Sequence, residues 1–217
     1  MAEIKGFIFD LDGVITDTAE YHYLGWQKLA DEEGLAFDRE FNEKFRGVSR
    51  MECLDLLLEA NDKKATPEER KELAERKNNY YREYLKSITE DNLLDGIEDI
   101  LKRVKEKGYK MAIASASKNT KIVVNKLDIK DMFDTISDGY SVKNSKPAPD
   151  LFLHTAEKLN LKPEECLVFE DAEAGIDAAL AANMTAVGIG PETRVGHAHY
   201  RFDTVKEIDL DKILNSK

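Results

Sequence analysis

The sequence predicts an α/β protein: a Rossmann-like, doubly wound parallel sheet with an inserted all-helical cap. Short apolar runs alternate with longer amphipathic segments over most of the chain, which is typical of strand–helix repeats around a parallel sheet. The short runs are almost continuously apolar, as strands covered on both faces are. Residues 17–87 break this rhythm, because they contain helical patterns and no strand pattern.

We therefore expect a core domain made of residues 1–16 and 88–217, and a helical cap domain made of residues 17–87. A chain of 217 residues suits a core domain that carries a smaller insertion. An all-helical block directly after the first strand is well placed to act as a lid. Its two crossings, near Ile15–Asp17 and Ser87–Asn92, would then be the hinges.

The individual elements follow from these patterns. Strands are expected at Ile4–Asp10, Lys110–Ser115, Thr135–Ser137, Cys166–Glu170 and Thr185–Ile189. Core helices are expected at Ile97–Lys107, Asn119–Leu127, Asp150–Asn160 and Glu173–Ala182. Cap helices are expected near Ala19–Glu33, Asp38–Lys44, Arg50–Glu59 and Pro67–Lys86, the last with Thr66 as N-cap. The tail after Gly190 is expected to be a loop, a short strand near Thr204–Val205 and a terminal helix.

Composition excludes several classes of function. The net charge of −11 argues against binding to a nucleic-acid backbone, which needs clustered Lys and Arg. No apolar run approaches the length of a membrane span, and the N-terminus has no signal-peptide pattern. Cys53 and Cys166 lie far apart and in no CxxC motif, so we expect two reduced thiols in a cytoplasmic protein.

The first predicted strand ends in two aspartates, Asp10 and Asp12, followed by Gly13. Alternation along a strand would point both carboxylates to one face, at the edge where open α/β sheets bind ligands. One carboxylate could then act as a nucleophile while the other moves a proton. A plain strand followed by an acidic turn is the simpler alternative. A calcium loop of the EF-hand type is excluded, because its sixth and twelfth positions hold Ile15 and Tyr21.

Three further clusters lie at predicted strand ends. Ser115 to Asn119 lead into a helix, so their hydroxyl and backbone N–H groups could bind an anion, although Ser117 could equally be a plain N-cap. Lys146 lies in a proline-rich loop. It could be a fixed counter-charge there, or else a solvated lysine. Glu170 and Asp171 suit a hard cation such as Mg²⁺, or else a helix start that favours acids.

Taken together, the four clusters resemble the haloacid dehalogenase superfamily, whose motifs occur in the order DxD, Ser or Thr, Lys, and paired acids. Here they are Asp10-Leu-Asp12, Ser115, Lys146 and Glu170-Asp171. The helical insertion resembles the subclass I cap. The segments from Phe9 to His22, Arg46 to Arg50, Ser115 to Asn119 and Ser145 to Asp150 are similar, further, to the β-phosphoglucomutase family.

This resemblance implies a role for each matching residue. Asp10 would be the nucleophile and Asp12 the general acid and base, with Ser115 and Lys146 holding the transferring phosphoryl group. Mg²⁺ would be held by Asp10, the Asp12 carbonyl and Asp171, with Glu170 as a ligand or a partner of one. The substrate-binding residues would be Thr18, His22, Arg46, Gly47, Val48, Ser49, Arg50, Lys77, Ala116, Ser117, Lys118 and Asn119.

Among these, Arg50 would grip the distal phosphate, since its planar fork suits bidentate contact. His22 and Lys77 would couple cap closure to the acid and base, although His22 alone could be an ordinary helix histidine. Two residues depart from the family pattern: Arg46 replaces an expected lysine, and Cys53 replaces an expected serine. Because arginine and lysine are not interchangeable, these changes affect the expected cap contacts and not the chemistry.

The implied activity is the isomerisation of β-D-glucose 1-phosphate to glucose 6-phosphate through an aspartyl phosphate and β-glucose 1,6-bisphosphate. A hydrolase is the alternative, in which water attacks the same aspartyl phosphate of a sugar phosphate or phosphoglycolate. A non-catalytic phosphosugar-binding protein is a third hypothesis, and it predicts the loss of a catalytic acid that this sequence retains. The resemblance also implies a monomer.

Overall fold

The computed structural model describes residues 3–215, and its core is a six-stranded parallel sheet with the order β3-β2-β1-β4-β5-β6. Every neighbouring pair runs parallel. The strands are β1 (Gly6–Phe9), β2 (Lys110–Ala114), β3 (Thr135–Ser137), β4 (Cys166–Glu170), β5 (Thr185–Ile189) and β6 (Tyr200–Phe202). Strand β1 lies in the interior of the sheet, between β2 and β4, so the residues after these strands meet at one edge.

Ten α-helices accompany the sheet in the described residues 3–215. They are α1 (Ala19–Glu33), α2 (Arg39–Asn42), α3 (Arg50–Ala60), α4 (Pro67–Tyr84), α5 (Ile97–Glu106), α6 (Thr120–Lys126), α7 (Asp150–Leu159), α8 (Glu173–Ala181), α9 (Glu192–Val195) and α10 (Leu210–Asn215). None of these helices combines the length and the apolar composition that crossing a bilayer would need. Helices α5 to α10 belong to the sheet, and α1 to α4 form the cap.

The sheet is covered on both faces, as its continuous apolar strands predicted. Side chains of β1 alternate between two hydrophobic clusters, with Phe7 and Phe9 in one and Ile8 in the other. The first cluster also contains apolar residues of α5, α6 and α10, and the second contains those of α7 and α8. All three of these β1 side chains are fully buried, and their packing fixes where the strand ends.

The cap has a hydrophobic cluster of its own. Trp26 and Leu29 of α1 pack with Leu54 and Leu57 of α3, and Phe45 joins them from a short 3₁₀ turn. Capping boxes start two of the helices: Ser49 with Glu52 for α3, and Thr66 with Glu69 for α4. Because the cluster lies among the cap helices, the cap is packed internally as well as against the sheet.

The two crossings between cap and sheet lie side by side. The Thr16 hydroxyl donates a hydrogen bond to the Asn92 carbonyl at 2.7 Å, and the Leu94 amide donates to the Ile15 carbonyl at 2.9 Å. The predicted hinge segments are therefore joined to each other by hydrogen bonds.

The first strand and the tail differ from their predictions. The strand predicted at Ile4–Asp10 ends at Phe9, because the Asp12 amide donates to the Asp10 carboxylate and turns the chain. The tail strand predicted near Thr204–Val205 lies instead at Tyr200–Phe202, where it pairs with β5, and Val205–Glu207 is a 3₁₀ turn. The loop predicted after Gly190 also contains helix α9.

Candidate active site

A cleft of about 440 Å³ separates the cap from the strand ends of the sheet. Most of the residues singled out from the sequence line it: Asp10, Asp12, His22, Arg46, Gly47, Val48, Ser49, Arg50, Lys77, Ser115, Ala116, Ser117, Lys118, Asn119 and Asp171. Lys146 and Glu170 are fully buried and contact Asp10 or each other, outside the cleft lining. Thr18 is buried directly before α1 and is not among the lining residues.

Asp10 and Asp12 come together through a turn and not through strand alternation. The Asp12 amide donates to Asp10 Oδ2 at 3.0 Å, and the Asp10 amide donates to the Phe169 carbonyl of β4 at 2.9 Å. Gly13 continues the turn with a φ of +81°, and a Cβ there would lie 2.4 Å from the Asp171 carboxylate. Only glycine therefore permits Asp171 to lie against this turn.

Lys146 lies beneath the cleft between two carboxylates. Its ammonium donates to Asp10 Oδ1 at 2.6 Å, to Glu170 Oε2 at 2.9 Å and to the Ala114 carbonyl at 3.2 Å. Burial acts to lower the pKa of Lys146, but the charges and hydrogen bonds of Asp10 and Glu170 outweigh it and raise that pKa. Lys146 is thus a fixed cation, and the alternative of a solvated lysine is excluded.

The other acids of the site hold protons more tightly than exposed acids do. Burial and then the charges of Asp10 and Asp171 raise the pKa of Asp12 well above its ordinary value. Burial and the charge of Asp10 likewise raise the pKa of Glu170 well above its ordinary value, and that of Asp171 to about 6. Asp12 can therefore hold a proton, while the neighbouring Asp10 is paired with Lys146.

The acidic cluster has the donor set of a hard cation. One carboxylate oxygen from each of Asp10, Glu170 and Asp171 lies within 4.8 Å of the others. In addition, Asp12 Oδ1 and Glu170 Oε1 are buried and make no hydrogen bond with any described residue. Carboxylate oxygens are the ligands that Mg²⁺ and Ca²⁺ prefer, and uncompensated buried oxygens are costly without such a partner. These residues fit a divalent cation.

The segment from Ser115 to Asn119 forms an open loop between β2 and α6. The Ser115 hydroxyl accepts a hydrogen bond from the Ser117 amide at 3.1 Å, and the Ser117 hydroxyl accepts one from the Asn119 amide at 3.2 Å. Asn119, not Ser117, occupies the N-cap position of α6 and makes no side-chain cap bond. These turns, together with the N-terminus of the short helix that follows, present small polar groups to the cleft.

The cap contributes a polar pair from two helices, the buried Lys77 and the partly buried His22. Lys77 Nζ of α4 lies 2.8 Å from His22 Nδ1 of α1, and the Lys77 ammonium also lies 4.9 Å from the centre of the Trp26 ring. Burial, Lys77 and Arg50 lower the pKa of His22 well below its ordinary value. Burial chiefly, and Arg50, lower the pKa of Lys77 to about 7. His22 is therefore part of a polar pair and not a solvated helix histidine.

The segment from Arg46 to Arg50 reaches the core. Arg46 donates to Asp171 Oδ2 at 3.1 Å and to Glu43 Oε2 at 2.9 Å. Gly47 has a φ of +71°, and a Cβ there would lie 3.0 Å from the Ala172 side chain. The Ser49 hydroxyl is engaged in the cap of α3, whereas Arg50 lines the cleft and donates to the Ala74 carbonyl at 3.4 Å.

Cys53 and Cys166 are free, as predicted, and both are buried. Cys53 lies within 3.7 Å of the Phe45 and Val48 carbonyls, and burial raises the pKa of its thiol to about 12. The thiol is therefore neutral.

Two residues that the sequence did not single out also contribute. Asn78 lines the cleft and accepts a hydrogen bond from Asn119 Nδ2 at 2.9 Å, which joins cap to core. The sequence offered one indication of a role for Asn78, namely that it directly follows Lys77 on α4. Arg194 donates from Nε to the Asp171 carbonyl at 2.7 Å, and nothing in its local sequence indicated this.

Comparison with known proteins places this geometry in context. Residues 4–183 match the family described as haloacid dehalogenase-like hydrolase. The chain is 43% identical over 189 residues to a β-phosphoglucomutase of Bacillus subtilis, covering 86% of this chain and 84% of that protein. It is 30% identical over 216 residues to a phosphorylated carbohydrates phosphatase of Thermotoga maritima, covering 98% and 97%.

A solved structure of a β-phosphoglucomutase from Clostridium difficile is also similar. It superposes with a TM-score of 0.94 at 47% sequence identity, and the match covers 97% of this chain and 95% of that chain. Both the order of the strands and the helical insertion are therefore shared with a solved fold over almost the whole length.

Proposed function

This chain belongs to the haloacid dehalogenase-like hydrolase family, as its motifs predicted, and from that membership we propose that it is an isomerase with β-phosphoglucomutase activity. It would interconvert β-D-glucose 1-phosphate and glucose 6-phosphate through β-glucose 1,6-bisphosphate. The observation that carries the proposal is the pairing of Asp10, held beside Lys146, with Asp12, whose raised pKa favours a proton. Such a pair supplies a nucleophile and an acid on one turn.

In the first half-reaction the Asp10 carboxylate attacks the phosphorus of a phosphosugar, and a phosphorus–oxygen bond to the carboxylate forms. The bond from phosphorus to the sugar oxygen breaks, and Asp12 gives its proton to that leaving oxygen. In the second half-reaction Asp12, now ionised, takes the proton from the attacking sugar hydroxyl as the phosphoryl group leaves Asp10. Asp12 is thus restored to its protonated form, and its buried position suits both steps.

The positions around Asp10 support a binding role for the phosphoryl group. Ser115 and the Ala116 backbone lie in the cleft beside Asp10, and Lys146 supplies a fixed positive charge. Mg²⁺ is the cation we assign to the acidic cluster, held by Asp10, the Asp12 carbonyl and Asp171, with Glu170 as a ligand or a partner of one. When bound, it would neutralise charge on the transferring group, the main electrostatic requirement of phosphoryl transfer.

The second phosphate would be held across the cleft. Arg50 from the cap, with Ser117, Lys118 and Asn119 from the core, lines the same cavity as Asp10. Arg46, Gly47, Val48 and Ser49 would shape the cap side of that site. His22 and Lys77, with Thr18 at the start of α1, would link cap closure to Asp12, since the Asp12 and Lys77 charges interact.

We assign the cap to residues 17–87 and the core to residues 1–16 and 88–217. The hydrogen bond from Thr16 to Asn92 lies next to both boundaries and supports hinges there. The monomeric state and the cytoplasmic location expected from the sequence stay predictions.

The phosphatase is the second candidate, because the chain is also similar to a phosphorylated carbohydrates phosphatase. The two activities differ in what attacks the aspartyl phosphate: a sugar hydroxyl or water. Incubation with β-glucose 1-phosphate and catalytic 1,6-bisphosphate separates them. We expect glucose 6-phosphate to accumulate, whereas release of inorganic phosphate without it would establish the phosphatase.

The nucleophile is tested by Asp10→Asn. We expect turnover to fall by roughly 10⁴-fold or more, with unchanged circular dichroism. Asp12→Asn is the matched variant on the same turn, and we expect it to lose roughly 10²–10⁴-fold by removing only proton transfer. A fully active Asp10→Asn protein would refute the assignment.

A further inference from the structure

Two arginines, one from the cap and one from the core, meet at the acidic cluster. Arg46 donates to Asp171 Oδ2 at 3.1 Å, and an amino group of Arg194 lies 3.9 Å from the same oxygen. Glu43 of the cap joins them, because its Oε2 accepts from Arg46 at 2.9 Å and from Arg194 at 3.3 Å. We call Glu43, Arg46 and Arg194 the arginine latch.

The latch completes a charge balance around the cluster. Three carboxylates, Asp10, Glu170 and Asp171, lie within one ligand set. Lys146 pairs with the first two, so Arg46 and Arg194 provide the positive charge that faces the third. A divalent cation among these carboxylates would lie next to Arg46 at Asp171, and like charges at such a distance repel.

We propose that the arginine latch holds Asp171 in the cation-free protein, and that a divalent cation displaces Arg46 from this carboxylate when it binds. The proposal rests on the metal site of the proposed function and adds a positioning role for Arg46 and Arg194. Arg194 stays in place, because its Nε donates to the Asp171 backbone carbonyl at 2.7 Å. Cation binding and the cap–core contact are thereby coupled.

Displacement of Arg46 would change the packing of its neighbours in the cap. Arg46 directly follows Phe45, whose ring lies 5.3 Å from the ring of Trp26 at an angle of 63°. Gly47, on the other side, packs against Ala172 of the core. Trp26 is the one tryptophan of the sequence, so its fluorescence emission reports on this segment without labelling.

The test measures Mn²⁺ binding by electron paramagnetic resonance in metal-stripped protein. We expect Arg46→Met to bind Mn²⁺ more tightly than the wild type, by roughly five-fold or more, because it removes a competing cation. Arg194→Met should give a smaller increase, since its amino group is further from the carboxylate oxygen. Arg39→Met is the matched control: it removes the same charge from an exposed cap pair with Glu20 and should leave affinity unchanged.

A second readout separates displacement from simple repulsion. Mg²⁺, which does not quench fluorescence itself, should shift the Trp26 emission of the wild type and of Arg39→Met. Mg²⁺ should leave the emission of Arg46→Met unchanged, although it should still compete with Mn²⁺ for binding to that variant. Equal affinity of Arg46→Met and Arg39→Met for Mn²⁺, or equal emission shifts in the two, would overturn the latch.

Asp171→Asn tells the two proposals apart. We expect it to lose Mn²⁺ affinity, and Arg46→Met to have no further effect in that background. If Asp171→Asn binds Mn²⁺ as the wild type does, the metal site itself is wrong, and the latch falls with it. If Asp171→Asn loses affinity but Arg46→Met gains none, the site stands and only the latch is refuted. Should Arg46→Met fail to fold, Arg46→Gln removes the same charge and carries the same comparison.

Discussion

Two lysines of this protein are buried to the same degree and yet have opposite pKa shifts. Lys146 in the core is 0% exposed and Lys77 in the cap is 2% exposed. The Lys146 ammonium lies between two carboxylates, which raise its pKa despite burial. Lys77 faces His22 and aromatic rings, so burial lowers its pKa to about 7.

The comparison shows that the partner, and not burial alone, sets the charge of a buried lysine. The core lysine is a permanent counter-ion that holds Asp10 and Glu170 together. The cap lysine changes charge close to neutral pH and lies beside a neutral histidine. The core site is therefore built for fixed electrostatics, whereas Lys77 in the cap can lose its proton near neutral pH.

Lys146→Met should produce the largest effect, because it leaves two buried carboxylates without their cation. We expect the free energy of unfolding to fall by about 3–5 kcal/mol at pH 8. The loss should shrink at pH 5, where Glu170, whose pKa is raised by burial and by the charge of Asp10, can take up a proton instead. Urea denaturation at both pH values in the presence of EDTA measures this. An unchanged midpoint would mean that Lys146 is not the counter-ion.

Lys77→Met should change the free energy of unfolding in the opposite direction, by raising it. The pKa of Lys77 is lowered to about 7 in the folded protein, so the unfolded chain binds more protons between there and 10.5. Stability of the wild type therefore rises with pH across this window. The variant lacks this penalty, and we expect it to be more stable by roughly 2 kcal/mol at pH 7, which already allows for the lost bond to His22.

The gain of Lys77→Met should fade as pH approaches 10, which distinguishes it from better packing by methionine. Urea denaturation between pH 6 and 10 measures it. A gain that does not depend on pH would contradict the lowered pKa of Lys77.

His22 gives a smaller effect that NMR can follow. Burial, and after it the charges of Lys77 and Arg50, lower the pKa of His22, so its ring should stay neutral at pH 6. In Lys77→Met we expect the pKa of His22 to rise, because one repelling cation is gone. Ring-nitrogen chemical shifts recorded between pH 4 and 8 test this, and a charged His22 in the wild type at pH 6 would refute it.

An exposed lysine should give the smallest effect. Lys102 pairs with Glu98 at 2.7 Å one helical turn away, and both side chains are more than half exposed, 56% and 61%. Water screens such a pair, so Lys102→Met should leave the midpoint of denaturation within experimental error. A shift as large as that of Lys146→Met would show that the loss of a lysine charge matters regardless of burial.

Much of the fold was predictable because local and tertiary preferences agree. Residues 166–170 and 185–189 form strands as predicted, since their apolar runs match a sheet covered on both faces. The helix at Ala19–Glu33 begins and ends as predicted. Strand β6 was placed wrongly because Tyr200–Phe202 is half-buried and polar in part, and among the strands of residues 3–215 it pairs with β5 alone.

The site was predictable where its residues directly follow strands, as Asp10, Ser115 and Asp171 do. The contacts that join the cap to the core were not predictable, because they depend on how two separately packed units meet. Arg194 is the clearest case: it lies in the core, yet it donates to Glu43 of the cap at 3.3 Å, 151 positions away in the chain. The turn at Asp12 was not predicted either. The strand ends early there because the Asp10 side chain accepts a hydrogen bond from the Asp12 amide.

The interior position of β1 also constrains how the protein is made. Its four residues, Gly6–Phe9, leave the ribosome well before β4, which covers one of its edges and begins at Cys166. Synthesis at roughly 5–20 residues per second leaves that edge unpaired for on the order of ten seconds. An exposed apolar edge is a template for aggregation. Nascent chains that stop before Cys166 should therefore depend on chaperones far more than the finished protein does.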